Sequence, residues 1–351
     1  MRLLSDRIFG ATSYGVVHPL FSRRVFDVCI VDEATQMTQP LILRCLLNAK
    51  TFILVGDPHQ LPPVIKSHQA KALGGDESLF CQLAKQNKHA ELKIQYRMNQ
   101  RINDLVNAFS YHGKLLWGCV RPSIYFDTSL IQYEWETRIF SSSLENSVIF
   151  LDTGNSYEKN IELHENKMFS EYIRSSKNDN IYSSKSYLNL VETALVVHIV
   201  SKLIRNKIDL QDIGVIATYR SQADCIKNIM KSCHQYRELE VNTVDQFQGR
   251  DKEVIIYSCT KTKRLNSSSD CKTKSNEILD DHRRVTVAIT RAKNKLIIIG
   301  DSRSIVENAP FQLLFNSLSE EIIEISDKFY DVHWNQLLEE LPINKKKAKN
   351  E

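Results

Sequence analysis

Short apolar runs punctuate the chain at 25–31, 51–55, 147–151, 213–217, 253–258 and 295–300. Each is rich in Val and Ile and apolar almost throughout, the pattern of strands buried on both faces of a parallel sheet. Helical periods lie between them. Leu188, Val191, Leu195, Ile199 and Leu203 recur every three to four residues and predict a helix with one apolar stripe. Strand alternating with helix predicts an α/β fold with parallel sheets. Residues 152–187, rich in Ser, Asn, Lys and Tyr, keep no period and read as a surface insertion. Residues 261–282 read as a second polar excursion. The lysine-rich stretch 345–349 reads as a solvated end, with nuclear import or nucleic-acid contact as its functional alternative.

The chain has 351 residues, of which 42% are hydrophobic and 25% charged, enough to form two lobes with real cores. Its net charge of +4 permits a nucleic-acid partner without requiring one. No apolar run approaches the roughly eighteen residues of a membrane-spanning helix. The first ten residues carry an acid and lack the apolar core of a secretory signal. The eight cysteines are scattered with no C-x-x-C pair, so reduced thiols of a cytosolic or nuclear protein are expected rather than a metal cluster.

The chemistry-bearing residues sit where apolar runs end. Val-Asp-Glu-Ala-Thr-Gln (31–36) places Asp32 and Glu33 just past the first predicted strand. There a carboxylate can hold Mg²⁺ and its neighbour can polarise a water. An isolated acid pair facing solvent is the bland alternative. Val-Gly-Asp-Pro-His-Gln-Leu-Pro-Pro (55–63) follows the second run with a proline-stiffened loop, and ligands of open α/β sheets bind just beyond strand carboxyl ends. Gln60 is positioned there to sense a phosphate or orient water; an ordinary turn is the alternative. Tyr96 and Arg97 in Gln-Tyr-Arg-Met (95–98) offer a stacking face and a guanidinium, or a plain exposed pair. In 241–258, Gly249 permits a tight turn, Asp251 can accept from a ribose hydroxyl, and Thr243 can donate to a phosphate. Arg291 in Val-Ala-Ile-Thr-Arg-Ala-Lys (287–293), between Ala288 and Ala292, reads as an arginine finger or as a helix-surface ion pair.

Taken in order, these strings resemble the motor motifs of superfamily 1 helicases of the Upf-like group, over about residues 8–320. The flanking tracts 13–19 and 20–27 and the string Gln-Tyr-Arg-Met-Asn resemble most the motors of eukaryotic replication helicase/nucleases. The resemblance implies two RecA-like lobes, 1–90 and 91–320, followed by a tail at 321–351. It implies an ATP- and Mg²⁺-dependent 5′-to-3′ DNA translocase of replication and repair, acting in the nucleus, with single-stranded DNA (flaps or RNA–DNA junctions) as partner and no membrane. Asp32 would hold Mg²⁺ and Glu33 would act as base. Gln60 would sense the γ-phosphate, and Arg97 and Arg291 would be the fingers. Gln36, Gly56, Asp57, Tyr96, Gly249 and Asp251 would line the nucleotide, with Tyr96 near adenine and Asp251 on the ribose. Thr12, Ser13 and Thr243 would face DNA.

The chain departs from that pattern in three ways. No G-x-x-x-x-G-K-[ST] string occurs, and 10–15 lack the lysine. The family's nuclease domain with its four-cysteine cluster is absent from the sequence. Thr218 stands where the family's Ala-Pro-Tyr turn has proline. The first lobe is therefore expected to lack its P-loop strand, and this polypeptide alone to hydrolyse ATP poorly or not at all. An RNA-directed motor of the same group and a non-catalytic nucleic-acid-binding remnant are the competing expectations.

Overall fold

A computed structural model describes residues 7–22, 24–86, 89–155, 188–231, 234–261, 276–318 and 321–325. Two compact units divide the chain, one ending at Leu92 and the other beginning at Lys93.

The first unit is built on two parallel strands, β1 (Phe26–Val31) and β2 (Ala49–Leu54), in register from Phe26↔Ala49 to Val31↔Leu54. The helix Gln39–Leu46 connects them, with Pro40 in its first turn, where no backbone N–H is needed. This helix and Leu79–Lys85 cover one side of the pair. Val31, Ala34, Met37 and Ile42 are buried there, with Cys29, Cys45, Leu54 and Phe80 packed against them. The other side is largely open beyond Phe26, which meets the rings of Phe9 and Phe21. Val28, Ile30 and Ile53 share that side by strand alternation and are 50%, 67% and 50% exposed. The expectation that both runs are buried on two faces is corrected here, because among the described residues of this unit only one helical layer packs on them.

A short parallel pair, β3 (Ile94–Gln95) and β4 (Leu116–Trp117), opens the second unit. Its main sheet has six parallel strands: β5 (Val148–Asp152), β6 (Ile213–Ala217), β7 (Glu240–Thr243), β8 (Lys252–Ser258), β9 (Ala292–Gly300) and β10 (Ile322–Glu324). They are ordered β10-β5-β9-β8-β6-β7. Here the double burial holds. Ile149, Leu151, Val215, Ile256 and Ile297 pack with Leu195, Ile199 and Ile226 of the helices Leu190–Arg205 and Arg220–Lys231. The alternate positions Phe150, Ile255 and Ile298 are also fully buried. Phe150 meets Phe315 of the helix Ala309–Asn316 edge-on, with ring centroids 4.9 Å apart. This is the α/β architecture with parallel sheets that the alternation of runs predicts.

Several boundaries move. β5 runs to Asp152, so the polar insertion starts after that strand, and 156–187 lie outside the described residues. So do 262–275 of the second excursion, the lysine-rich 345–349, Cys233 and Cys271. β10 pairs with β5 (Ile322↔Phe150), which brings residues assigned to the tail from 321 into the sheet. The helix expected to carry one apolar stripe is instead buried almost all round, Glu192, His198 and Lys202 included. Those polar groups are paired: Lys202 Nζ donates to Glu136 Oε2 and to the Leu130 carbonyl, each at 2.8 Å, and His198 bonds the other Glu136 oxygen. Burial pushes the Glu136 carboxyl up, but the His198 and Lys202 hydrogen bonds hold it below the ordinary carboxylate value. The six described cysteines are free thiols, and among the described residues no helix is long and apolar enough to cross a membrane.

Candidate functional site

In the first unit the candidate residues collect at the carboxyl ends of the two parallel strands. Val31 lies beside Leu54, the Val55 N–H donates to the Val31 carbonyl and the Ala34 N–H to the Val55 carbonyl, each at 2.8 Å. Asp32 follows β1 directly and is exposed, and its Oδ1 accepts the Glu33 N–H at 2.9 Å. Glu33 adopts a left-handed backbone at φ 53°, which costs a non-glycine residue roughly 1–2 kcal/mol. Gln36 Nε2 donates to Glu33 Oε2 at 2.8 Å and fixes that side chain. Across the strand end, Asp57 Oδ1 accepts the His59 N–H at 2.9 Å and Asp57 Oδ2 accepts from Gln60 Nε2 at 3.0 Å. Gly56 is forced by closeness: a Cβ there would sit 3.0 Å from Thr35 Cγ2 and 3.1 Å from the Thr35 nitrogen. Thr35 Oγ1, at this junction, is buried without a hydrogen-bond partner. An orphaned hydroxyl between two polar strand ends suits a polar ligand. Among the described residues no three His, Cys, Asp or Glu side chains converge on a metal position. Asp32 would then give one ligand to an ion held otherwise by phosphate oxygens and water. Thr12, also in this unit, spends its hydroxyl accepting the Gly15 N–H at 3.0 Å, while Ser13 is half-buried.

In the second unit Arg97, Asp251 and Arg291 come together. Gln95 Oε1 accepts the backbone N–H groups of Arg97 (2.9 Å) and Met98 (2.7 Å), and the Asn99 N–H donates to the Lys293 carbonyl at 2.8 Å. This pins the 97–99 segment beside the start of β9. Arg97 Nη1 reaches the Thr290 carbonyl at 3.4 Å, and its Nε lies 4.0 Å from Asp251 Oδ2. Asp251 also takes Lys293 Nζ at 2.9 Å. Burial raises its pKa, but Lys293 first, then Arg97 and Arg291, hold it below the ordinary carboxylate value. Tyr96 is exposed and its carbonyl accepts from Arg121 at 3.1 Å. Gly249 has φ +76° with open space around it, a conformation only glycine adopts readily.

The helix-surface alternative for Arg291 is corrected. The helix His282–Ile289 ends before it, so it is not a helix-surface residue. It is 2% exposed, with Nε donating to the Val287 carbonyl at 3.2 Å and Nη2 to Thr290 Oγ1 at 3.0 Å. A finger role requires the guanidinium to turn out of this pocket. Thr243 ends β7 and its hydroxyl does not cap the helix Val244–Phe247 that follows. Thr218, beside it at the end of β6, bonds the Tyr257 hydroxyl at 3.1 Å. A cavity of about 530 Å³ along β7, lined by Lys227, Glu240, Asn242 and Arg250, includes none of the cluster around Arg97.

Lys293, Glu253, Arg121 and Gln95 were not singled out from the sequence. Glu253 had a readable signal, since strand alternation puts it on the same side as Asp251. Lys293 had none beyond its place in the 287–293 string.

Two models of the AAA domain match the chain, one over residues 3–68 and one over 75–303. The chain belongs to this AAA-domain family. It is similar to the DNA replication ATP-dependent helicase/nuclease DNA2 of Bos taurus, with 35% identity over 90% of this chain and 29% of the relative. It is also similar to that of Xenopus laevis (39% identity, 84% of this chain, 27% of the relative) and of Saccharomyces cerevisiae (33%, 91% and 20%). The chain thus spans less than a third of the length of these curated relatives. Among solved structures, the PRRSV helicase aligns with 15% identity and a TM-score of 0.34, covering 78% of this chain and 34% of that one.

Proposed function

We propose that this chain is part of an ATP- and Mg²⁺-dependent motor that translocates 5′-to-3′ on single-stranded DNA in nuclear replication and repair. The observation that carries the reading is the meeting of Asp32, Glu33, Gln36, Gly56, Asp57 and Gln60 at adjacent carboxyl ends of parallel strands. Asp32 holds the metal and Glu33, kept in place by Gln36, takes a proton from the attacking water. Gln60, steadied by Asp57, faces the terminal phosphate. Mg²⁺, when bound, neutralises phosphate oxygens. Within the second unit, Arg97 and Arg291 offer positive charge, Tyr96 a stacking face, and Gly249 the turn that carries Asp251, groups suited to a nucleotide. Thr12, Ser13 and Thr243 contact the DNA backbone, where affinity is mostly electrostatic.

The glycine-lysine phosphate loop is not among these residues, so in this reading it is contributed by polypeptide outside the sequence. The open face of Val28, Ile30 and Ile53 supports that, because parallel sheets are normally covered on both faces. The test is direct. The purified chain is expected to bind a single-stranded oligonucleotide with affinity that falls as salt rises, and to show no DNA-stimulated ATP hydrolysis. Turnover stimulated by DNA and lost in Glu33→Gln would overturn the dependence on a missing loop. Failure to bind the oligonucleotide at low salt would overturn the translocase reading for this segment.

A further inference from the structure

The cluster around Arg97 holds more positive charge than its carboxylates neutralise. Arg97, Arg291 and Lys293 all act on Asp251, while Arg121 and Lys293 share Glu253 at 3.7 and 3.8 Å. Glu253 is further occupied by Asn294 Nδ2 at 2.6 Å. Among the described residues Asp251 is thus the single carboxylate paired with Arg97, and it is contested. Coulomb attraction falls with distance, so Lys293 at 2.9 Å has the stronger hold and Arg97 at 4.0 Å the weaker. The Arg97 backbone is fixed by Gln95, whereas its side chain is 41% exposed with one long hydrogen bond to Thr290. This is a rigid base carrying a loosely seated guanidinium.

We propose that Asp251 and Lys293 are positioning residues for Arg97. The carboxylate is a shared seat for which the ammonium and the guanidinium compete, and the outcome sets how far Arg97 is presented to an incoming polyphosphate. This gives Asp251 a role toward a side chain of its own unit rather than toward a ribose hydroxyl. The identity of the incoming anion rests on the motor reading above; the seat does not.

The experiment reads Arg97 itself in the full chain without nucleotide. The rate of phenylglyoxal adduct formation at Arg97 is measured by peptide mass spectrometry relative to the exposed Arg237. Asp251→Asn is expected to raise that relative rate about two- to fivefold, the effect of losing a partly exposed ion pair. Lys293→Gln frees the carboxylate for Arg97 and is expected to lower the rate about twofold. Asp251→Glu is expected to retain the wild-type rate. General unfolding would raise reactivity in every variant, so the fall in Lys293→Gln separates positioning from damage. An unchanged rate in Asp251→Asn, or a rise in Lys293→Gln, overturns the proposal, and neither result depends on whether the chain hydrolyses ATP.

Discussion

Ile30 in β1 and Ile297 in β9 occupy similar places in β-branched runs that end in a polar turn, yet Ile30 is mostly exposed and Ile297 is fully buried. The first unit lays one helical layer on two strands; the second covers the four central strands of its six on both faces. The polar groups divide in the same way. In the first unit the Lys50–Asp27 pair stands in solvent. In the second, Glu136, His198 and Lys202 form a network sealed under the helix Leu190–Arg205. The difference shows that strand formation and strand burial are separate events. A β-branched run needs one hydrogen-bonded neighbour to become a strand, and it needs a second layer to become core.

The sharpest way to break this contrast is through the ion pairs. Glu136→Ala strands the Lys202 ammonium in the core and is expected to cost about 3–5 kcal/mol in the urea transition of the second unit. Asp27→Ala is expected to leave the unfolding curve in place, because exposed pairs contribute little. Equal effects would show that the two units are sealed alike. The apolar pair follows. Ile297→Ala should cost about 2–5 kcal/mol by cavity formation, and Ile30→Ala no more than about 0.5 kcal/mol. A large loss at Ile30 would reveal a covering layer on that face in solution.

A pH slope set by two groups of the second unit separates the units further. Burial pushes Glu192 up from 4.5 to about 8, against the hydrogen bonds it accepts from Ser258 and the Thr260 N–H. Between those values the folded state holds a proton that the unfolded chain has lost, so stability falls as pH rises. Burial, with Arg138 nearby, pushes Lys295 down from 10.5 to about 7. Between these values the unfolded chain holds the extra proton, so stability rises with pH. Each slope is at most about 1.4 kcal/mol per pH unit. The two oppose each other between about 7 and 8, where their combined contribution is lowest. Urea midpoints across pH should lose the falling limb in Glu192→Gln and the rising limb in Lys295→Met. A midpoint that keeps its pH dependence in both variants would remove these groups as its source.

Much of the α/β layout was legible in the chain. The run at 213–217 is β6 residue for residue, and the others shift by only a few residues at their ends. The placement of Asp32 and Glu33 past β1, and of the 55–63 loop past β2, was legible too, because a polar break after an apolar run marks a strand end. Three-residue β10 was missed, since so short a segment carries no period. The fully buried helix Leu190–Arg205 was read as a stripe because its inward Glu192, His198 and Lys202 look like surface residues until Glu136, Ser258 and Thr260 supply partners from distant positions.

The local pattern of side chains determined where strands and helices form and which polar residues end them, because propensity and alternation act over a few neighbouring residues. Tertiary structure alone decided which runs are covered, that Arg291 turns inward, and that Asp251 answers to Lys293 and Arg97. Those outcomes depend on layers and register: β8 and β9 pair with a shift between Lys252 and Val254, beside which residues 251 and 293 come within hydrogen-bond reach. Distances between groups some forty to two hundred positions apart are set by packing, and no short stretch of sequence contains them.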